Sequence, residues 1–214
     1  MSRRVPRRLP VAASLLLASI AAAGAEPTGS DRSAAELMDA LMWNREPVGG
    51  PFSLVDHTGR PRTEADFRGK WLVIYFGYTH CPDICPTDLQ AIAQAVERLG
   101  AGGEAVQPLF ITLDPERDTA GHLAEYVPLF HPRMIGLTGA PEAIRRAAAA
   151  YKVFYARAPA ARPSDYGLDH TAFIYLVDPT GRYVGFLPPA TPADRLEHIL
   201  RQHLSSDDRA PPEP

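Results

Sequence analysis

Cysteine is scarce in this chain, with 2 residues among 214. Two thiols cannot knit a disulfide miniprotein, and they cannot supply a four-thiolate zinc site. Whatever they do, they do as one pair. Beyond residue 25 there is also no run of 18 or more strictly apolar residues, which excludes a polytopic membrane protein. Neither charge sign dominates: charged residues make up 22% and hydrophobic residues 45%, the balance of a globular protein. The length fits one domain with extended ends, and no internal repeat or low-complexity segment is evident.

The first 25 residues stand apart. Arg3, Arg4, Arg7 and Arg8 precede an apolar stretch from Leu9 to Ile20, then Ala23-Gly24-Ala25, and no acidic residue occurs before Glu26. This is the pattern of a signal peptide, or of an N-terminal membrane anchor at the short limit for spanning. An Arg-rich mitochondrial presequence is the competing reading. On the first reading the protein is periplasmic, or anchored on the inner membrane and facing the periplasm. Without residues 1–25 the chain carries 18 basic and 25 acidic side chains, a net of −7, which argues against nucleic acid as a partner. An exported chain with two cysteines commonly holds them as a structural disulfide.

Residues 26–48 read as a linker, with Met38 and Met42 at helical spacing. A packing stripe suits that pair better than a soft-metal site. A folded domain is expected over 49–204 and a disordered tail over 205–214. Within the domain, Phe52 to Val55 and Pro61 to Ala65 predict an N-terminal hairpin. The continuous apolar run Trp71 to Phe76 predicts a strand buried on both faces, followed by a helix from Pro86 to Leu99. Further strands are expected at Leu109 to Leu113 and Met134 to Leu137. Helices are expected from a Thr119 cap to Phe130, over Pro141 to Tyr151, and from a Thr191 cap to Leu204. Ala172 to Val177 and Tyr183 to Phe186 predict an antiparallel hairpin. This alternation makes an α/β fold with a central mixed sheet flanked by helices.

Sites in such sheets gather beyond the C-terminal ends of the parallel strands, where Cys81 and Cys85 fall. If helix begins near Cys81, the two lie on one face with Cα atoms about 6 Å apart, close enough to share a disulfide or one ion. Helix-terminal N–H groups should then acidify at least one thiol. Thiolates are soft ligands for Cu(I), zinc or iron–sulfur, and two of them need a further donor. Among seven histidines His170 is best placed, ending a loop over Ala156 to Asp169 and opening a strand. A solvated loop histidine is the competing reading, and the residues alone leave both open. His80, next to Cys81, is expected to point elsewhere, and His57, His122, His131, His198 and His203 read as surface residues.

The block Gly77-Tyr78-Thr79-His80-Cys81-Pro82-Asp83-Ile84-Cys85-Pro86, together with Asp169-His170-Thr171-Ala172-Phe173-Ile174-Tyr175-Leu176-Val177-Asp178-Pro179, resembles the Sco/SenC family of copper-binding cytochrome oxidase assembly proteins. Phe67-Arg68-Gly69-Lys70, Leu113-Asp114-Pro115-Glu116-Arg117-Asp118-Thr119 and Gly136-Leu137-Thr138-Gly139 are also similar. The resemblance implies a thioredoxin-like fold holding one copper, Cu(I) or Cu(II), through Cys81, Cys85 and His170. It implies a metallochaperone for the binuclear copper A site of cytochrome c oxidase subunit II, with that subunit and a periplasmic copper donor as partners, acting as a monomer. It also places Asp83 and the stretch Asp114 to Asp118 near the metal turn, where helix capping and loop geometry are equally good reasons for them. The alternative is a thiol–disulfide oxidoreductase in which Cys81 attacks and Cys85 resolves, so enzyme activity stays open. A peroxidase fits less well, because no Thr-x-x-Cys motif is present.

Overall fold

The computed structural model describes residues 47–159 and 166–207. The leader or anchor over 1–25, the linker up to residue 46, the Met38–Met42 pair and residues 208–214 lie outside the described residues.

The run from Trp71 to Gly77 forms strand β3, and every residue in it is buried. A strand in a sheet covered on both faces has no solvent side to make polar, hence the absence of alternation. Around it are β1 (Ser53–Asp56), β2 (Pro61–Thr63), β4 (Val106–Thr112), β5 (Ile135–Thr138), β8 (Ile174–Val177) and β9 (Tyr183–Leu187). Their order is β2-β1-β5-β4-β3-β8-β9. The inner strands β5, β4 and β3 are parallel, whereas β1 joins β5 and β8 joins β3 antiparallel. This is the expected mixed α/β sheet of thioredoxin-like character, with the N-terminal hairpin β1–β2 at one edge.

Helices α1 (Ile84–Arg98), α2 (Ala120–Tyr126), α3 (Pro141–Ala150) and α4 (Ala193–Asp207) cover the sheet. Successive β3 side chains point to opposite faces. Ile74 and Phe76 face an aromatic group in which the rings of Phe76, Tyr151 and Tyr175 lie 5.4–5.8 Å apart. Tyr75 and Gly77 face the start of α1. That helix buries Leu89, Ile92 and Val96 at helical spacing and packs against α4, which buries Leu196 and Leu200.

Two tight turns are built alike. In β1–β2 the Asp56 carboxylate accepts from the Thr58 N–H and hydroxyl, the Arg60 N–H and Arg62 Nε. In β8–β9 Asp178 accepts from Thr180, Arg182 N–H and Arg182 Nε in the same way. Burial alone would raise both pKa values. The hydrogen bonds outweigh it and hold both carboxyls below the usual range.

Several local expectations are corrected. The helix after Thr119 ends at Tyr126 and tightens into a 3-10 turn at Val127–Leu129, because Pro128 removes an N–H. Thr119 does cap it, accepting from the His122 N–H. Thr191 does not cap α4: its hydroxyl donates to the Pro188 carbonyl, and the helix starts at Ala193 and runs on to Asp207. The loop expected over Ala156 to Asp169 contains β6 (Tyr155–Arg157), which pairs antiparallel with β7 (Leu168–His170). Both strands are three residues long, too short to show periodicity.

Candidate metal site

The chain leaves β3 at Gly77 and turns back at once, the Cys81 N–H donating to the Tyr78 carbonyl at 3.2 Å. Cys81 therefore sits in a turn, three residues ahead of α1, and Cys85 is the second residue of the helix. The two sulfurs converge through the turn, not through the helical i, i+4 spacing expected from the sequence. Asp83 occupies the N-cap position, but its side chain makes no capping bond.

Cys81 is partly exposed, Cys85 is fully buried, and both are free thiols. Gly77 makes room for Cys85: a Cβ there would lie 2.9 Å from Cys85 Sγ and 2.9 Å from Tyr75 Cε1. Burial pushes the Cys85 thiol pKa up, and the neighbouring Cys81 pushes the same way, against the lowering effect of the Tyr78 backbone bond. The acidification expected from the helix terminus is thus corrected at Cys85. Desolvation of a fully enclosed sulfur exceeds the partial charge of the helix end.

His170 ends β7, where the ribbon with β6 fixes its backbone opposite Tyr155. Its Nδ1 donates to the Thr171 carbonyl at 3.1 Å, so in the neutral ring Nε2 carries the lone pair. That nitrogen faces Cys85 Sγ at 3.4 Å. Burial first of all lowers the His170 pKa, favouring the neutral ring that a metal requires. The Tyr75 and Tyr78 rings meet it in T-shaped contacts, with centroids at 6.5 and 5.9 Å. Cys81, Cys85 and His170 each place one ligand atom within 4.8 Å of the others. Two sulfurs and one unprotonated nitrogen, screened from water on the Cys85 side, form a donor set that fits a soft metal ion.

Sequence reasoning singled out these three residues but not what holds them. The Tyr166 ring lies between two guanidinium groups, Arg117 at 3.8 Å and Arg157 at 4.3 Å. Its hydroxyl donates to Asp114 at 2.8 Å, and Arg117 donates to the Tyr166 carbonyl at 3.0 Å and to Asp114. This clamp ties the segment that leads into His170 to the loop after β4. Arg117 belongs to the Asp114 to Asp118 stretch noted from the sequence, but no spacing rule links it to Tyr166, 49 residues on.

Four of the histidines read as surface residues, His57, His122, His131 and His203, depart from that reading. His131 is buried, and its Nδ1 accepts from the Arg133 N–H. Burial and the Arg133 charge lower its pKa. His57 is half-buried and accepts from the Gly136 N–H, and His203 packs on Trp71 at 4.7 Å. His122 is half-buried, its Nε2 lying 2.9 Å from the Thr79 hydroxyl. His198 is exposed as expected.

The SCO1/SenC family model matches residues 42–205. The mitochondrial SCO2 homolog of Bos taurus is 47% identical over 159 residues, covering 73% of this chain and 60% of that protein. The chain thus spans about 60% of the length of such curated relatives. Among solved structures, ScoI of Arabidopsis thaliana with copper bound is 41% identical with a TM-score of 0.69, covering 74% of this chain and 99% of that one. ScoI of Bradyrhizobium japonicum with copper bound is 38% identical with a TM-score of 0.68, covering 72% and 98%. These relatives correct the periplasmic or inner-membrane location expected from the N-terminal segment, since the curated proteins matched are named mitochondrial. An Arg-rich start without acidic residues is common to bacterial export signals and organelle presequences, so it could not separate the two. Among the described residues no helix is long and apolar enough to cross a membrane.

Proposed function

Since the chain belongs to the SCO1/SenC family, we propose that it is a copper metallochaperone of cytochrome c oxidase assembly, holding its cargo through Cys81, Cys85 and His170. The observation that carries this reading is the convergence of two thiols and one unprotonated imidazole nitrogen within 4.8 Å. Copper supplies no bond-making chemistry here, because it is the cargo. Cys85 is the buried anchor, Cys81 the partly exposed residue on whose side an acceptor's ligands enter, and His170 the bond contributed by a separate segment. The acceptor is the binuclear copper A site of oxidase subunit II, and a separate copper donor loads the chain.

Anaerobic Cu(I) titration tests the site. Wild type should bind one equivalent, and Cys81→Ser and Cys85→Ser should lose it while keeping a folded circular dichroism spectrum. Retention of the full equivalent in both serine variants would overturn the assignment. Transfer is then read by mixing the loaded protein with the subunit II copper-binding domain and measuring the copper that moves.

A second reading is favoured by the unequal exposure of the two cysteine residues. Cys81 is positioned to attack a partner disulfide, forming a mixed disulfide and releasing one partner thiol. Cys85 then gives up its proton and attacks Cys81 Sγ, which frees the second partner thiol. The pair is oxidised to Cys81–Cys85 as the partner disulfide is reduced, a balanced two-electron exchange. Turnover on a peptide disulfide with copper rigorously removed tests it, and exchange no faster than with a small thiol would count against it.

A further inference from the structure

On the outer side of the Cys81 turn, three side chains that the copper site does not use converge. His80 follows β3 in that turn, Asp118 lies in the loop after β4, and His122 is on α2. One ligand atom from each lies within 4.8 Å of the others. The two imidazole rings lie 5.7 Å apart and tilted by 30°, and His80 Nδ1 is 3.7 Å from Asp118 Oδ1. We propose that His80, Asp118 and His122 form a second cation site, taking a borderline divalent ion of the Zn(II) or Cu(II) class, beside the thiol site but distinct from it.

The donors are already aimed at one point, which the Thr79 hydroxyl marks. Its oxygen is 3.0 Å from His80 Nδ1, 2.9 Å from His122 Nε2 and 2.6 Å from Asp118 Oδ1. The hydroxyl has one proton, given to Asp118, so both imidazoles donate a ring N–H to the same oxygen, and an ion takes its place once those protons move to the other ring nitrogens and the hydroxyl turns away. Asp118 is fully buried and held from behind: Oδ2 accepts from the Thr79 N–H at 3.0 Å and the Thr112 hydroxyl at 2.6 Å. Such backing fixes a carboxylate for ligation, leaving Oδ1 on the side of His80 and His122, where it accepts from the Thr79 hydroxyl. The imidazoles reach solvent, the His80 side chain being 47% exposed, so an ion can enter and keep water in its remaining positions.

The donor set decides the class of ion. Two imidazoles and a carboxylate contain no sulfur, so they suit Zn(II) or Cu(II) and disfavour Cu(I), the reverse of the thiol site. Bonds of about 2.0–2.2 Å bring such donors to roughly 3.0–3.5 Å from one another. Rotation of the exposed His80 side chain closes the gap, while the buried Asp118 stays fixed.

The test uses the full chain loaded anaerobically with one equivalent of Cu(I), so that the thiols are occupied, then titrated with Zn(II) against a chromophoric chelator. Copper retained after gel filtration confirms that Zn(II) has not displaced it. The expected result is one additional Zn(II) equivalent, bound at least tenfold more weakly by His122→Ala and by His80→Ala and unchanged in His198→Ala. Zn(II) should also raise the melting temperature of wild type but not of His122→Ala. No second equivalent, or wild-type affinity in both His122→Ala and His80→Ala, overturns the site. So does a destabilised His122→Ala whose Zn(II) affinity is unchanged, which would leave a hydrogen-bond cluster that only braces the turn.

Discussion

Cys85 Sγ and His170 Nε2 lie 3.4 Å apart across 85 residues of chain. The cysteine is fixed by α1 and by the space above Gly77, the histidine by a ribbon outside the main sheet. Because His170 belongs to a separately anchored segment, its bond to a metal can be broken without moving the sulfurs. Cu(I) is content with two thiolates, whereas Cu(II) needs the further nitrogen. His170→Ala is therefore expected to keep Cu(I) binding within about threefold and to weaken Cu(II) by tenfold or more, a Cu(II) loss of at least roughly 1.4 kcal/mol. Competition titrations in each oxidation state check this, and equal losses in both would contradict it.

The raised pKa of Cys85 makes copper binding a proton-releasing step. Its thiol is protonated throughout the neutral range, and a bound metal requires the thiolate. The proton lost on binding makes apparent Cu(I) affinity rise with pH, by about tenfold per unit for each proton released. His170, held neutral by burial, adds little to this slope. Affinities measured between about pH 6 and 8 should show the rise, and a slope of zero for wild type would be the wrong sign for a buried thiol.

The core of the fold was legible because its cause is local. Trp71 to Gly77 has no polar face to display, and Gly77 followed by a cysteine turn ends the strand visibly. The thiol pair was legible for the same reason, although the mechanism expected for its convergence was wrong: a turn does the work assigned to helix spacing. His170 was visible as a candidate, but its competition with a solvated loop reading could not be settled by periodicity. The β6–β7 ribbon that fixes it is too short to leave a pattern, and the Arg117–Tyr166 stack depends on folding distant segments together. His131 and His122 were misread because a histidine's burial depends on what packs over it, which neighbours in sequence do not reveal.

Gly77 carries a sharp steric prediction. A Cβ at 2.9 Å from both Cys85 Sγ and Tyr75 Cε1 must displace one of them, and both are fully buried. Gly77→Ala is expected to cost about 1–3 kcal/mol of stability, the range for overpacking a filled core. It should also weaken copper retention, because either displacement disturbs the packing around the Cys85 sulfur. Thermal unfolding and copper titration measure the two effects. A stable variant with wild-type copper affinity would refute the packing argument.

The Tyr166 clamp acts on the segment that leads into His170. Cation–π contacts from Arg117 and Arg157 hold the ring that precedes the β7 ribbon. Tyr166→Ala should loosen residues 166–171 toward solvent, seen as faster amide exchange there, while exchange in β3 and β4 stays slow. Cu(II) affinity should fall several-fold and Cu(I) affinity should hardly change. A loss of Cu(I) binding comparable to that in Cys85→Ser would mean that the ring supports the sulfurs instead.

The twin turn cages predict where acid attacks the fold. Asp56 and Asp178 each accept four hydrogen bonds, and both carboxyls titrate below their unfolded value of 3.8. A depressed folded pKa contributes stability that is fully present above pH 3.8 and is lost as pH falls through the folded value. Asp178→Asn removes the charge but keeps one acceptor oxygen. At neutral pH it should therefore destabilise the protein by about 1–3 kcal/mol, the worth of charged hydrogen bonds at a turn. As the solution is acidified past the Asp178 pKa, the wild-type carboxyl becomes neutral too and the gap between the proteins should close. Denaturant midpoints for both, compared from neutral pH downward, check this. A gap that stays constant to low pH would assign the loss to amide packing and not to the carboxylate charge.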